Sequence, residues 1–185
     1  MKEQLLSRVA RLYVARGEAD EARARAGDLN LRGAYVAGAD LTGVSLKDAD
    51  LTYADLTGAK LQYADLEGAL LREASMDRAD FRKAHLHQAV FTAVTASGTR
   101  FDFANLARAV FRYSSFANTS LIGARLDGAD FAVSSWRNCD FGGTDLDVNA
   151  LPPSTKIVGG TLPVFPRVAG RRLAGPSRLY DLYGQ

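Results

Sequence analysis

The chain has 185 residues, 23 basic and 21 acidic side chains, a formal net charge of +2 and 47% hydrophobic residues. That length fits one domain, the lone Cys139 excludes an internal disulfide framework, and no apolar run approaches the ~18 residues of a membrane span. With no apolar stretch behind a basic N-terminus to read as a leader, the expected compartment is a reducing one, the cytoplasm.

Residues 1–28 read as a helical cap. Leu5, Leu6, Val9, Leu12 and Tyr13 follow helical spacing, and Gly17 stands where that helix can end. Glu18 to Ala26 is a second helical stretch, rich in alanine and charge. A membrane-surface helix using Arg8, Arg11 and Arg16 is the lesser reading, because Glu3 opposes it and the stretch is short.

From Leu29 to Leu151 the chain counts in fives without an insertion or deletion. The centres run Leu31, Val36, Leu41, Leu46, Leu51 and onward to Trp136, Phe141, Leu146 and Leu151, and Ala96 alone among them is not large. Two residues before each centre stands a small side chain, most often Ala, otherwise mostly Val, Ser, Thr or Cys. A period of five fits neither the 3.6 of a helix nor the 2.0 of a strand. It requires a chain that turns a corner once per repeat, and four corners close a square of about twenty residues. Repeats of one period stack as a solenoid, each burying its inner face on its neighbours.

Ala39-Asp40-Leu41-Thr42-Gly43, Ala54-Asp55-Leu56-Thr57-Gly58 and Ala64-Asp65-Leu66-Glu67-Gly68 resemble the A(D/N)LXX signature of the pentapeptide-repeat protein family. The resemblance covers roughly residues 29–151. It implies an all-β solenoid, a right-handed quadrilateral β-helix of about six rungs with the N-terminal α-helical cap over its open end. At the ~4.8 Å interstrand spacing such a rod is on the order of 30 Å long. Residues twenty apart then stack: Leu51, Leu71, Phe91, Phe111 and Phe131 in one column, Phe81, Phe101 and Phe141 in another. Trp136 lies in a third column with Met76, Ala96 and Phe116, whose bulk is expected to fill the space beside Ala96. These centres are the expected core.

After Leu151, Pro152-Pro153 breaks the period. Residues 152–185 mix Gly and Pro with Val, Leu and Tyr, too apolar for a spacer, and carry Lys156, Arg167, Arg171, Arg172 and Arg178 against Asp181. The segment reads as a C-terminal cap, a homodimer contact or a partner-binding element.

No enzyme constellation is present: no GxSxG, Walker loop, HExxH or CxxC pair. The chain is therefore read as non-catalytic, with no cofactor. His85 and His87 point outward over Asp65 and Glu67 one rung earlier, an arrangement read as a solvated surface ladder in preference to a metal site. The column Asp40, Lys60, Asp80, Arg100 is expected to pair charge between rungs.

A more telling departure is apolar. Before the centres Leu71, Phe91 and Phe111 stand Leu70, Val90 and Val110, where most repeats place a polar residue. Tyr53, Ala93, Tyr113 and Val133 lie on the same side, near the following corner. Contiguous outward apolar residues mark an interface, unless a terminal segment folds over them. On another face Tyr63, Lys83 and Phe103 form a candidate cation–π column.

The expected function is a rigid rod that docks a partner protein. The resemblance also implies an alternative, in which the rod mimics DNA and binds a type II topoisomerase such as gyrase, with quinolone-type resistance, as bacterial members do. Mimicry requires a negative rod. Residues 29–150 hold twelve basic and fifteen acidic side chains, a net of only −3, with arginines through the middle. Direct nucleic-acid binding through the basic tail ranks third, since no recognisable module accompanies it.

Overall fold

The computed structural model describes residues 16–26 and 29–163. Residues 29–163 wind as a right-handed quadrilateral β-helix in which parallel bridges join residues twenty apart. Asn30 pairs with Asp50, Asp50 with Leu70, Leu70 with Val90, Val90 with Val110 and Val110 with Asp130. The N–H of each centre donates upward, as Leu51 does to the Leu70 carbonyl at 2.8 Å, and the N–H before it donates downward, as Asp50 does to Leu29 at 2.7 Å. The backbone is thereby satisfied rung against rung. The first face has centres Leu31 to Leu151, the second Val36 to Trp136, the third Leu41 to Phe141 and the fourth Leu46 to Leu146.

Most corners are turns closed by their centre. The Ala54 N–H donates to the Leu51 carbonyl at 2.9 Å, and Tyr53 between them has φ 62°. A left-handed third residue in a turn of this bonding is the type II geometry. Asp or Asn before the centre adds a second fastening. Its side-chain oxygen accepts the N–H two residues on, as Asp50 accepts Thr52 at 2.9 Å and Asp55 accepts Thr57 at 2.9 Å. This local Asx bond is the physical content of the signature's second position.

The second face straightens into true strands: β1 (Thr95–Ser97), β2 (Ser115–Ala117), β3 (Ser135–Asp140) and β4 (Lys156–Thr161), parallel and in that order. Hydroxyls take over at several corners. The Val94 N–H donates to Ser114 Oγ at 3.0 Å, and that hydroxyl donates on to the Phe91 carbonyl. Thr99 likewise reaches the Met76 carbonyl at 2.9 Å, twenty-three residues back.

β4 differs from what the broken period leads one to expect: the solenoid continues past Pro152-Pro153 with one extra residue. Trp136 pairs with Ile157 and Arg137 with Val158, a step of twenty-one where β1, β2 and β3 step by twenty. Ile157 and Leu162, five apart, resume the row of centres and pack on the core.

The core is a column of stacked centres. Leu51, Leu71, Phe81, Phe91, Phe101, Phe111, Phe131, Trp136 and Phe141 are all at most 1% exposed. Phe91 and Phe111 stack at 5.0 Å, Phe81 and Phe101 at 5.1 Å, and Phe116 and Trp136 at 4.4 Å. Edge contacts then tie the columns together, Phe91 to Phe101 at 5.7 Å and Phe111 to Trp136 at 5.1 Å. Phe116 reaches Phe101 and Phe111 as well, and Ala96 is buried.

At the lower end, helix α1 (residues 16–25) lies against the first rung. Ala24 is fully buried. The charged side chains of α1 occupy edge groups that a rung below would otherwise have taken. Asp20 accepts the Tyr35 N–H at 2.8 Å, while Arg23 and Arg25 donate to the Asn30 and Asp40 carbonyls. Side chains thus stand in for a missing strand. Gly17 does not end a helix here. It lies inside α1, where a Cβ would come within 3.1 Å of the Tyr35 ring. Leu5, Leu6, Val9, Leu12 and Tyr13, and the basic residues Arg167, Arg171, Arg172 and Arg178, lie outside the described residues.

Candidate functional site

Along the first face, Leu70, Val90 and Val110 form an unbroken outward lane, each half-buried and bridged to the next. Asp50 and Asp130 close the lane below and above. At both ends the aspartate makes the local bond, Asp50 to the Thr52 N–H and Asp130 to the Ala132 N–H at 2.9 Å each. In the three rungs between them that bond is lost, because Leu and Val offer no acceptor. Among the described residues the N–H groups of Arg72, Thr92 and Arg112 have no acceptor and follow one another rung by rung, and the same holds for Lys47, Gln62 and His87 on other faces.

Tyr53, Tyr113 and Val133 stand on the adjoining corner, 50%, 65% and 50% exposed. Glu73 and Ala93 separate the two tyrosines along that edge, so the aromatic rings do not form one patch. Arg32 lies over the Tyr53 ring at 4.7 Å from its centroid, and Arg112 pairs with Asp130 at 2.5 Å. Thr52, through its hydroxyl and its backbone N–H, holds the Asp50 carboxyl below its ordinary 3.8.

The charged column on the third face is wired differently from the expectation of pairing between rungs. Asp40 and Lys60 do pair across rungs, at 3.8 Å. Asp80, however, takes Arg82 of its own rung at 2.7 Å, and Arg100 takes Asp102 at 3.4 Å. Positions flanking one centre are two residues apart on the same outward surface, so an Arg folds across its own centre more readily than it reaches the next rung. Gln62 adds a bond to Asp80 at 2.8 Å.

Beside this network runs a groove of about 510 Å³, lined on its corner side by Tyr63, Lys83 and Phe103. The Lys83 ammonium donates to the Tyr63 hydroxyl at 3.2 Å and sits 5.3 Å from its ring centroid. Phe103 is 61% exposed and lies over Gly123, where a Cβ would come within 2.7 Å of the ring. The sequence places these three residues in one column. It gives no sign of the groove itself, which Arg82 and Arg100 also line.

Asp65 and His85 are bridged in register, but Glu67 is taken by Lys47 of the rung below at 3.2 Å. Among the described residues no group of three or more His, Cys, Asp and Glu side chains could hold a metal ion. Nor is any described helix long and apolar enough to cross a membrane. Cys139 is buried, and that burial pushes its thiol pKa up. The described surface carries an apolar lane on its first face and an aromatic–cationic groove beside its third.

Comparison with known proteins bears on the fold. A family model of pentapeptide repeats, in eight copies, matches residues 30–62, 49–88 and 89–128. No curated protein matches. Among solved structures, the chain is similar to HetL, a pentapeptide repeat protein involved in heterocyst differentiation regulation in Nostoc sp. strain PCC 7120. The identity is 27%, over 63% of this chain and 62% of HetL, with a TM-score of 0.37. The chain therefore spans less than two thirds of HetL. It is similar also to trypsin-treated QnrB1, a plasmid-mediated fluoroquinolone resistance protein, at 20% identity over 69% of this chain and 76% of that one, TM-score 0.38. A pentapeptide repeat protein of the Arabidopsis thaliana thylakoid lumen matches at 21% identity over 70% and 74% of the two chains, TM-score 0.26. With its repeats matched over more than half its length, the chain belongs to the pentapeptide-repeat family.

Proposed function

We propose that this protein is a non-catalytic docking rod whose first face, through Leu70, Val90 and Val110, seats a partner protein. One observation carries the reading. Three successive rungs carry Leu or Val where Asp50 and Asp130 stand at the two ends of the lane, and these side chains lie on the outward side, half-buried and in register. Contiguous outward apolar residues in a repeat that elsewhere places polar ones there point to a use outside the fold. The partner surface that fits is apolar along its middle and carries carbonyl or carboxylate acceptors toward the Arg72, Thr92 and Arg112 N–H groups. A homodimer through residues 152–185 is compatible with such a role.

The test is paired capture. Immobilised protein and the Leu70→Asp, Val90→Asp double variant are exposed to the same lysate, with circular dichroism confirming that both are folded. A protein retained by the first, lost by the second and shown to bind in purified form supports the reading; identical retention by both refutes it. The alternative, DNA mimicry toward a type II topoisomerase, is opposed by the small net charge of the repeat and its central arginines. A gyrase supercoiling assay, with and without a fluoroquinolone, decides it: neither inhibition nor protection ends that reading.

A further inference from the structure

The groove on the third face lies across the rod from the Leu70 lane and has its own chemistry. Its middle is cationic: Lys60, Arg82, Lys83 and Arg100 line it. Most of that charge is already matched. Asp80 holds Arg82, Asp102 holds Arg100, and Asp40 stands 3.8 Å from Lys60. Lys83 differs: its partner is the Tyr63 hydroxyl and ring, and among the described residues it has no carboxylate. A cation held in place by an uncharged group is oriented without being neutralised.

The upper end of the groove is apolar. Phe103 and Ile122 are 61% and 41% exposed, one rung apart. The corner column reads Gly43, Tyr63, Lys83, Phe103, Gly123, Gly143, so bulk is confined to three rungs and glycine opens both ends. Gly123 leaves the space that the Phe103 ring occupies. All three bulky residues hold φ between 58° and 60°, the left-handed geometry that the repeat's corners share.

We propose that this groove binds an acidic peptide segment, with a carboxylate on Lys83 and a neighbouring aromatic or aliphatic side chain on Phe103 and Ile122. The charge count separates this ligand from nucleic acid. A single strand brings a phosphate with every nucleotide, whereas the groove offers one cation not already paired with a carboxylate. One or two carboxylates beside an apolar side chain match both its charge and its shape. The site stands independently of the Leu70 lane, so either can fail without the other.

Anisotropy of a labelled random copolymer of glutamate and tyrosine, at low salt, tests the proposal. Polyglutamate and single-stranded oligothymidylate serve as comparison probes. The protein should bind the copolymer about tenfold more tightly than polyglutamate, and Lys83→Glu should weaken copolymer binding about tenfold. Phe103→Ala should abolish the preference for the copolymer, while Val90→Asp should leave it intact. Both groove variants alter exposed side chains, and unchanged thermal unfolding would confirm that they fold. The proposal is overturned if the copolymer does not bind saturably, if both groove variants bind like the parent, or if oligothymidylate binds more tightly than the copolymer.

Discussion

Thr155 donates its hydroxyl to the Phe131 carbonyl at 2.8 Å across twenty-four residues, where Thr99 and Ser114 each reach back twenty-three. The same corner bond is made one residue late. Pro152-Pro153 therefore displaces the solenoid by one position without ending it, and β4 is laid down in the shifted register.

That register makes Gly160 the most constrained residue at the upper end. It has φ 83°, and a Cβ there would stand 1.9 Å from the Cys139 carbonyl oxygen. Gly160→Ala should therefore cost about 2–4 kcal/mol through backbone strain and overpacking. Urea unfolding measures the loss, and emission of Trp136, three residues from Cys139 on the same strand, should shift red as β4 separates. A variant with the parent's midpoint would show that β4 does not pair with β3 in this way.

Ser114 offers a second test, deeper in the rod. Its hydroxyl accepts from the Val94 N–H and donates to the Phe91 carbonyl, two groups that at other corners bond each other directly. Ser114→Ala should cost about 1–2 kcal/mol by leaving both groups unpaired in a buried corner. Ser114→Thr keeps the hydroxyl and should recover most of that. If the alanine variant loses nothing, the turn closes on itself and the hydroxyl is dispensable.

What the sequence made legible follows from where the period carries information. A strict step of five puts every centre inside, so Phe91, Phe111 and Trp136 could be read as stacked core residues from spacing alone. Asp50 and Asp55 could be recognised as signature residues, though their bond to the N–H two residues on is visible only in the structure. β4 was hidden because one inserted residue destroys a periodic signal completely while barely altering the fold. Ile157 and Leu162 are still five apart, but Pro152-Pro153 and Gly159-Gly160 read as loop. Pairing of Asp80 with Arg82 was equally hidden, since repeat spacing places charges on a face without deciding which way a long side chain folds. The lane of Leu70, Val90 and Val110 was visible as a departure from the repeat; the three N–H groups it leaves open were not.

Aromatic residues of the core and of the surface should separate sharply. Phe111 is fully buried and touches four rings, stacking on Phe91 and Phe131 and meeting Phe116 and Trp136 edge-on. Phe111→Ala should cost about 3–5 kcal/mol, transfer and cavity terms together. Phe103→Ala removes a ring of the same size from solvent and should stay within about 0.5 kcal/mol. Chemical denaturation of the pair tests both values. A comparable loss at Phe103 would mean that its ring supports the fold, and the groove would have to be read as packing.

Acid should expose the worth of the Asp80 network. Burial raises the Asp80 pKa, but hydrogen bonds and charge from Arg82 outweigh that, and the result lies below the ordinary 3.8. A carboxylate whose pKa falls on folding contributes stability that is fully present above its unfolded value and is lost as pH drops through the folded one. The contribution should therefore persist at neutral pH and disappear below about pH 4. Arg82 is 40% exposed, so solvent screening holds the effect to about 1 kcal/mol. Asp80→Asn should accordingly unfold at lower urea than the parent at pH 7 and converge with it as the pH falls below the ordinary carboxylate range. A gap that stays constant over that range would assign the loss to the bonds with Gln62 and the Arg82 N–H, which an amide oxygen only partly replaces, and not to ionisation of the carboxylate.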